Sequence, residues 1–257
     1  MTNLQDFTGR AALVTGAASG IGAACARALA ARGAARLVLV DVDGAGMDAL
    51  ELGACEVQRI VGSVADADLW QAVAPSLAGL DHAVVNAGIG SGGALDAISL
   101  AEWRRVMDVN LDGAFLTLAH SLRAMDAKAG PDRGSVVVVS STTGLKPVPG
   151  IGPYGVAKAA VAHMARIAAA ENAKKGIRIN AIAPGGVDTA IWESGEDFKA
   201  AVAAIGREAT LARMAKTTPL GRFATADEMA GSILYLLSDA AANITGHVMV
   251  SDGGFTL

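Results

Sequence analysis

Short runs of apolar residues alternate with longer segments of helical periodicity along almost the whole chain. Because these runs are continuously apolar, they are typical of parallel strands covered on both faces. The predicted strands, of which the third is the weakest, are 11–15, 37–40, 57–61, 82–86, 135–140, 177–182 and 247–250. The main predicted helices are 21–31, 100–128, 153–175 and 225–238. This alternation predicts an α/β protein with a doubly wound, seven-stranded parallel sheet and helices on both faces.

One long segment, 185–220, breaks the alternation and is poor in strand signals. It carries Ile191, Trp192 and Phe198, and long loops in compact domains are usually functional, so we interpret it as a lid over a pocket. The alternative is an ordinary helical insertion that packs against the core. No linker or fixed repeat divides the chain, so residues 1–257 are predicted to form a single domain.

Composition excludes several classes of protein. With 52% hydrophobic and 18% charged residues the chain can bury a large core, and its net charge of −4 without a basic run argues against a nucleic-acid partner. The polar N-terminus is unlike a secretory signal, and no apolar stretch reaches about 18 residues, so we expect a cytoplasmic protein without membrane contact. We expect no disulfide between Cys25 and Cys55, and the scattered histidines give no metal-ligand spacing.

The sequence TGAASGIG follows the first predicted strand and leads into a helix. Its glycines, Gly16, Gly20 and Gly22, let the backbone approach a phosphate, and the unpaired amides of a helix N-terminus favour an anion there. A plain turn is the alternative, since three glycines alone are weak evidence. Their position between a strand and a helix favours a dinucleotide site in a Rossmann-like fold.

Asp41 closes the second predicted strand, 19 residues after Gly22. A carboxylate at this point can accept hydrogen bonds from the hydroxyls of an adenosine ribose, and it would repel a 2′-phosphate. Neither Ala17 nor Ala18 in the loop is basic. The alternative is a solvated acid at a strand end, with Asp43 close by. We prefer NAD as the cofactor, with NADP less favoured.

Tyr154 and Lys158 lie four residues apart in a predicted helix that Pro153 opens. Residues at this spacing share a helix face, so the ammonium group and the helix dipole should favour the phenolate. An unperturbed phenol has a pKa of about 10, and lowering it to about 7 takes roughly 4 kcal/mol. We expect the lysine and a cationic nicotinamide to supply this, which makes the tyrosine a usable acid and base.

In these motifs the chain resembles the single-domain branch of the short-chain dehydrogenase/reductase family, over a length from Arg10 to Gly254. The resemblance implies the same fold and hydride transfer between a substrate carbon and a nicotinamide. Beside TGAASGIG and YGVAK, the shared motifs are NAG at 86–88, VMDVNLDG at 106–113, PGGVDT at 184–189 and ITGHVMVSDGG at 244–254.

The resemblance implies roles for four residues. Tyr154 would exchange a proton with the substrate oxygen, and Lys158 would lower the pKa of that tyrosine and hold the nicotinamide ribose. Ser141, 13 residues before Tyr154, would orient the substrate oxygen, with Ser140 as the strand residue beside it. Asn110 would position a water that connects Lys158 to solvent.

The resemblance also implies a set of cofactor contacts. Thr189 and the backbone of Val187 would hold the nicotinamide carboxamide. Where the family usually has an aspartate near adenine, this chain has Ser63 and Val64, so either the adenine is held less tightly or Asp66 acts instead. The predicted cofactor residues are Gly16, Ser19, Gly20, Ile21, Gly22, Asp41, Ser63, Val64, Asn86, Ala87, Gly88, Tyr154, Lys158, Pro184, Gly185, Val187 and Thr189.

In this family the segment after the PG motif and the loop between serine and tyrosine enclose the substrate. Here both are mainly apolar, which predicts a hydrophobic secondary alcohol, ketone or cyclic diol. Lys146 is interpreted as a solvated lysine, with recruitment of an anion as the alternative. The predicted substrate residues are Ser141, Leu145, Val148, Ile151, Tyr154, Ile191, Trp192 and Phe198.

Two other functions are open at this point. A 3-oxoacyl thioester (acyl-carrier-protein) reductase has the same catalytic set, but Asp41 counts against it because reductive biosynthesis usually draws on NADPH. A non-catalytic dinucleotide-binding sensor would be expected to have lost Tyr154 or Lys158, and both are present. The resemblance further implies that the helices at 100–128 and 153–175 pair between subunits in a homotetramer.

Overall fold

The computed structural model describes residues 6–130 and 132–257. Within these ranges the sheet consists of β1 (Ala11–Thr15), β2 (Arg36–Asp41), β3 (Glu56–Val61), β4 (His82–Val85), β5 (Gly134–Val139), β6 (Ile177–Pro184) and β7 (Val248–Ser251). All neighbouring strands are parallel, in the order β3-β2-β1-β4-β5-β6-β7. The predicted seven-stranded parallel sheet is confirmed, with strand ends shifted by two residues at most.

Helices cover both faces of the sheet. They are α1 (Gly20–Ala31), α2 (Gly44–Asp48), α3 (Ala67–Val73), α4 (Leu100–Met107), α5 (Gly113–Asp126), α6 (Gly152–Asn172), α7 (Glu196–Ile205), α8 (Arg207–Ala215) and α9 (Ala226–Leu237). Alternate strand residues enter two apolar cores. Leu37 and Leu39 of β2 pack with α1 and α9, whereas Val38 and Val40 pack with α3, α5 and α6. Burial on both faces explains why the strands are continuously apolar.

The predicted helical stretch at 100–128 is confirmed over residues 100–126, but its hydrogen-bonding pattern changes in the middle. A π turn at Asp108–Asp112 separates α4 from α5. Such a turn adds one residue to a helical turn, and it is often found at functional sites. Here it contains Asn110, which is only 1% exposed. The apolar periodicity on either side still looks helical, so the pattern alone does not reveal the extra residue.

The segment at 185–220 is mostly helical. It forms a 3₁₀ turn at Ala190–Ser194, then α7 and α8. Its beginning is tied to the segment just before α9, because Val187 pairs with Ala224 in a short parallel bridge. Throughout the two described ranges, no helix is both long enough and apolar enough to cross a membrane.

The strand order reverses at β1, which lies between β2 and β4. In open parallel sheets of this kind, a ligand crevice forms outside the carboxyl ends of the strands at such a reversal. The glycine loop follows β1, Asp41 ends β2 and the NAG segment follows β4. The fold therefore brings three predicted cofactor elements to one crevice.

Candidate active site

The glycine loop has no room for side chains. A Cβ on Gly22 would lie 2.0 Å from the carbonyl oxygen of Gly16, so α1 packs directly on the loop. Gly16 has φ +64°, a conformation that favours glycine. Ser19 precedes α1 without capping it, which leaves the first amides of this helix available to an anion. The loop fits the pyrophosphate of a dinucleotide.

Hydrogen bonds between side chains and backbone hold this loop to the NAG segment. The Asn86 side chain donates to the carbonyl oxygens of Thr15 (3.0 Å) and Gly16 (3.2 Å). The Thr15 hydroxyl accepts from the amides of Asn86 (3.1 Å) and Ala87 (3.2 Å). Asn86 was predicted to line the cofactor, and its side chain in fact braces the glycine loop. Sequence reasoning missed Thr15, whose only signal was a polar residue ending a buried strand.

Asp41 is tied to the same loop. Its Oδ2 accepts from the amide of Ala18 at 2.9 Å, and its Oδ1 accepts from the amide of Asp43 at 3.0 Å. The carboxylate is therefore fixed at the end of β2, beside the glycine loop. This position fits the predicted contact with the adenosine ribose.

The residues predicted near adenine lie beyond β3. The Ser63 hydroxyl accepts from the amide of Ala65 at 3.3 Å. Val64 is buried, and its carbonyl accepts from the Trp70 indole at 2.8 Å. Asp66 caps α3 by accepting from the amide of Asp68. The Asp66 carboxylate is thus already used as a helix cap, which makes it a less suitable substitute for the aspartate that usually contacts adenine in this family.

Tyr154 and Lys158 lie in the first turns of α6, as predicted. The Lys158 Nζ is 5.5 Å from the centre of the Tyr154 ring. Lys158 is 4% exposed, and its ammonium group donates to the carbonyl oxygen of Val139 at 2.9 Å. The pair therefore faces the carboxyl end of β5.

Burial dominates the pKa values of this pair. Burial raises the pKa of the Tyr154 phenol to about 12, although its hydrogen bond with Ser141 opposes the rise. Burial also lowers the pKa of Lys158 to about 8. The loss of water around both groups disfavours their charged forms and outweighs the effect of their proximity. The lysine therefore does not by itself bring the phenol near neutrality, and the expected contribution of a cationic nicotinamide stays a prediction. Further positive charge is needed to favour the phenolate.

Ser141 and its neighbours connect β5 to α6. Ser141 is buried, and its hydroxyl accepts from the amide (3.2 Å) and the hydroxyl (3.0 Å) of Thr143. The Ser140 hydroxyl donates to the carbonyl oxygen of Lys158 at 2.6 Å. A Cβ on Gly144 would lie 2.6 Å from the backbone of Lys158, so the turn after Ser141 lies directly on α6. Sequence reasoning missed Thr143 and Gly144.

Asn110 joins this group through the π turn. Its carboxamide accepts from the amide of Ile89 at 2.7 Å and donates to the carbonyl oxygen of the same residue at 2.9 Å. A Cβ on Gly88 would lie 3.0 Å from Asn110 Oδ1 and 3.4 Å from Lys158 Nζ. The structure thus brings Gly88, Asn110 and Lys158 together. Because the Asn110 side chain is used on Ile89, its predicted role with water would fall mainly to the backbone of the π turn.

The segment after β6 lies over the glycine loop. A Cβ on Gly20 would lie 3.1 Å from the Thr189 side chain. Gly185 packs against the backbone of Asp252, and Pro184 ends β6. The carbonyl oxygen of Val187 accepts from the Trp192 indole at 2.7 Å. The predicted contacts at 184–189 therefore lie at the same crevice as the glycine loop.

The predicted substrate residues fall into two groups. In the lid, Trp192 stacks on Phe223 at 5.4 Å, and Phe198 is only 7% exposed. Trp192 and Phe198 therefore pack against other aromatic rings, and their role as a pocket wall stays a prediction. Its largest cavity among those described, about 450 Å³, is lined by Glu193, Phe198, Lys199, Val202, Ala203 and Arg207, without Tyr154 or Ser141.

The second group is the loop before α6. Its exposed members include Leu145, while Val148 and Ile151 are half-buried. Ile151 pairs with Gly93 in the loop after β4, and Leu95 reaches the backbone of Gly152. Sequence reasoning missed this neighbouring loop as a wall of the site. Ile191 is exposed on the lid side.

Lys146 has a partner that the sequence did not indicate. Its ammonium group donates to the carbonyl oxygen of Phe255 at 2.8 Å and lies 4.8 Å from the centre of that ring. Lys146 is exposed, yet it holds the C-terminal segment against the loop before α6. Among the described residues, no three histidine, cysteine or carboxylate side chains come together to hold a metal ion.

Comparison with known proteins agrees with this arrangement. A family model described as enoyl-(acyl carrier protein) reductase matches residues 16–256. The chain belongs to the short-chain dehydrogenase/reductase family. Members of this family use NAD or NADP.

Curated relatives in this family act on hydroxyl groups, as their names state. The chain is 40% identical to a cis-4-hydroxycyclohexanecarboxylate dehydrogenase of Sinomonas cyclohexanicum, with 98% of each chain covered. It is 37% identical to a 2,5-dichloro-2,5-cyclohexadiene-1,4-diol dehydrogenase of Sphingobium indicum, over 98% of this chain and 99% of that one. Dehydrogenase activity on a hydroxyl substrate is therefore supported for this short-chain dehydrogenase/reductase.

Solved structures of the family share the fold. A short-chain type dehydrogenase/reductase of Mycobacterium marinum superimposes with a TM-score of 0.87 at 32% identity, covering 99% of this chain and 98% of that one. A putative 2-deoxy-D-gluconate 3-dehydrogenase of Agrobacterium tumefaciens, with bound NADP, has a TM-score of 0.83 at 32% identity and 99% coverage of both chains. The family fold therefore does not by itself decide between NAD and NADP.

Proposed function

We propose that this protein is an NAD-dependent dehydrogenase that oxidises a hydrophobic secondary alcohol or cyclic diol, or reduces the corresponding ketone. The observation that carries the proposal is the assembly of Ser141, Tyr154 and Lys158 beside the glycine loop, with Ser141 bonded to the Tyr154 phenol. A sensor without catalysis would not need this set.

In the proposed mechanism Tyr154 acts as the general base for oxidation and as the general acid for reduction. Its oxygen takes the proton of the substrate hydroxyl, and Ser141 orients the same substrate oxygen by a hydrogen bond. Bound NAD would supply the carbon that accepts hydride and a positive charge near the phenol. That charge is the contribution that the pair of Tyr154 and Lys158 lacks, since burial alone disfavours the phenolate.

Lys158 has a second task in the proposal. Its ammonium group uses one N–H on Val139, and an ammonium group has three such donors. The others are available to the hydroxyls of a nicotinamide ribose. The backbone around Asn110 would position the water that passes the proton on to solvent.

The central test is Tyr154→Phe, with Tyr235→Phe as the matched control. Loss of the phenol should reduce kcat for cyclic alcohols by about 10³-fold. Tyr235 lies in α9 and packs against the core between the sheet, α1 and α9, away from Tyr154, so Tyr235→Phe should retain activity. Retained turnover in Tyr154→Phe would contradict the proposed chemistry.

The preference for NAD follows from Asp41. Its carboxylate, held by the amides of Ala18 and Asp43, would repel the 2′-phosphate of NADP. We expect kcat/KM to favour NAD by at least about tenfold, and Asp41→Ser to reduce that preference. A wild-type protein that prefers NADP would contradict this part of the proposal.

The substrate class is proposed from the apolar character of the loop before α6 and from the cyclic hydroxyl compounds that name two relatives. A panel should include cyclohexanols, cyclic diols, linear polyols and a 3-oxoacyl thioester. Turnover of the thioester alone would favour the alternative reductase. Turnover of highly charged compounds alone would contradict a hydrophobic substrate.

We further propose a cytoplasmic homotetramer that binds no nucleic acid and no membrane. Apolar residues are exposed on α5 and α6, among them Phe115, Val156 and Ile167, and such exposed residues suit an interface between subunits. The cysteines are free thiols, as a reducing compartment would keep them. Sedimentation should give a mass of about four times the 25.7 kDa chain; a monomer would contradict the proposal.

A further inference from the structure

The serine of the candidate site belongs to a chain of hydroxyl groups that begins at Thr143. The Ser141 oxygen accepts from the Thr143 amide at 3.2 Å and from the Thr143 hydroxyl at 3.0 Å. A hydroxyl group has two acceptor lone pairs and one proton. With the Thr143 hydroxyl as the donor, both lone pairs of Ser141 are engaged, and the Ser141 proton is left to be donated towards the Tyr154 phenol, whose pKa Ser141 lowers.

We propose that Thr143 is a positioning residue whose hydroxyl fixes Ser141 as a hydrogen-bond donor. The single proton of the Ser141 hydroxyl is directed to the Tyr154 oxygen before substrate binds and to the substrate oxygen afterwards. The inference rests on the proposed function, because it concerns how Tyr154 becomes a base. Hydrogen bonds in a chain polarise one another, so the bond from Thr143 strengthens the one that Ser141 donates. A phenolate is the stronger acceptor, so it gains more from this donor than the neutral phenol does.

The local backbone keeps this chain of hydroxyl groups in place. Ser141 precedes a 3₁₀ turn at Thr142–Gly144, and its side chain caps that turn. Gly144 lies against the backbone of α6 beside Lys158, where a Cβ would not fit. The turn that carries Thr143 is thus fixed to the helix that carries Tyr154. Replacement of Thr143 by valine removes the hydroxyl, while the amide of residue 143 still bonds Ser141.

The experiment compares three variants by the pH profile of kcat/KM for alcohol oxidation at saturating NAD. Thr143→Val should lower kcat/KM about fivefold to tenfold near neutral pH. The loss should shrink as pH rises, because Tyr154 then deprotonates without help, and the midpoint should move to higher pH. Thr143→Ser keeps the hydroxyl and should restore the midpoint. Thr142→Val makes the same change at the buried neighbour and should leave the midpoint unchanged.

A direct titration gives a second readout. The chain has two tyrosines, so a Tyr235→Phe background leaves Tyr154 as the one tyrosine. Tyrosinate absorbance can then be followed against pH with NAD bound. Adding Thr143→Val to this background should move the midpoint of the titration upwards, whereas Thr142→Val should not.

Equal midpoints for Thr143→Val and Thr142→Val would overturn the inference. So would a loss of kcat/KM that is the same at every pH and is not restored by Thr143→Ser, because that result indicates a merely structural role. Tyr154→Phe separates this failure from a failure of the proposed function. If Tyr154→Phe is inactive and Thr143→Val keeps the wild-type profile, the chemistry stands and only the role of Thr143 falls.

Discussion

Two polar clusters lie at opposite ends of the same parallel strands, and both contain buried groups with displaced pKa values. The carboxyl-end cluster consists of Ser141, Tyr154 and Lys158. In the described part of the chain, one hydrogen bond engages the ammonium group of Lys158, and it goes to Val139. Donors therefore remain for a ligand, and the cluster lies beside the glycine loop.

The amino-end cluster consists of Asp81, His82, Lys128 and Ser135. Asp81 accepts from the amide of Ala11 and from Lys128. His82 Nδ1 is 2.9 Å from the Ser135 hydroxyl, which in turn donates to the carbonyl oxygen of residue 237 at 2.7 Å. Burial lowers the pKa of His82 to about 3. Here each polar group has a partner within the protein.

The comparison shows that a displaced pKa does not by itself identify a functional site. Burial produces the shift at both ends of the sheet. What differs is the position and the pairing: the carboxyl-end cluster lies beside the glycine loop, whereas the charged groups of the amino-end cluster pair with each other. We therefore expect changes at the carboxyl-end cluster to alter activity more than stability, and changes at the amino-end cluster to do the reverse.

The largest effect is expected for Lys158→Met. It should reduce kcat/KM by about 10³-fold or more, because it removes the ammonium group that faces Tyr154 and the cofactor ribose. The same variant should raise the free energy of unfolding at neutral pH by up to about 3 kcal/mol, since burial lowers the lysine pKa from its ordinary 10.5 to about 8.

The sign of that stability change follows from proton binding. Below its unfolded pKa the lysine binds a proton more readily in the unfolded state, so wild-type stability falls as pH drops from about 10.5 towards about 8 and then levels off. Denaturant titrations at several pH values should show this fall in the wild type and not in Lys158→Met. A destabilised variant would indicate that Lys158 supports the fold.

The next largest effect is a loss of folding stability in acid that originates at the amino-end cluster. Because His82 is neutral in the fold with a pKa near 3, the unfolded state takes up its proton first, and stability falls as pH drops below about 6.5. Between about pH 7.5 and pH 5 this amounts to about 2 kcal/mol. The charged groups that act on His82 are Arg10, Asp81, Lys128 and Arg178.

His82→Gln tests this assignment. An amide can still donate to Ser135, but it has no proton to take up in this range. The variant should lose most of the stability difference between pH 7.5 and pH 5, and its kcat at neutral pH should match the wild type. An unchanged pH dependence of unfolding would assign the acid sensitivity to other groups.

The smallest expected effect is on two serines, one at the start of β5 and one directly after its end. Ser135 and Ser140 stand near the two ends of β5, both are buried, and each donates to a backbone carbonyl. Ser135→Ala and Ser140→Ala should each lower the free energy of unfolding by about 1 kcal/mol to 2 kcal/mol. Only Ser140→Ala should also reduce kcat, because its partner is the backbone of Lys158. Equal kcat values in Ser135→Ala and Ser140→Ala would contradict the expectation that only changes at the carboxyl end of the sheet alter activity.

The sheet, the glycine loop and the pair of Tyr154 and Lys158 could be predicted because local pattern decides them, whereas Ser141 and Asn110 were implied by the family resemblance. Strands buried on both faces must be apolar, and a helix places Tyr154 and Lys158 on one face whatever the rest of the chain does. The glycine loop is similar, since the packing of Gly22 on Gly16 admits no side chain.

What the sequence could not predict depends on contacts between distant segments. Thr15 accepts a hydrogen bond from the NAG segment about 70 residues away. Lys146 donates a hydrogen bond to Phe255, which is 109 residues further along the chain. The pKa of Tyr154 depends on how completely the fold removes water around it, which spacing does not show. The orientation of the aromatic residues in 185–220 could not be predicted for a related reason. Phe198 is apolar in either case, and only packing decides whether it faces a substrate or Trp192.

The π turn at Asp108–Asp112 has a consequence for anyone who redesigns this chain. An added residue in a helix rotates everything after it by about 100° relative to a regular continuation. The direction in which the exposed apolar side chains of α5 point therefore depends on the length of this turn as much as on the composition of α5. Surface loops elsewhere can change length, but a one-residue deletion within 108–112 would regularise the helix, turn Phe115 to another side and withdraw Asn110 from Ile89 in a single step.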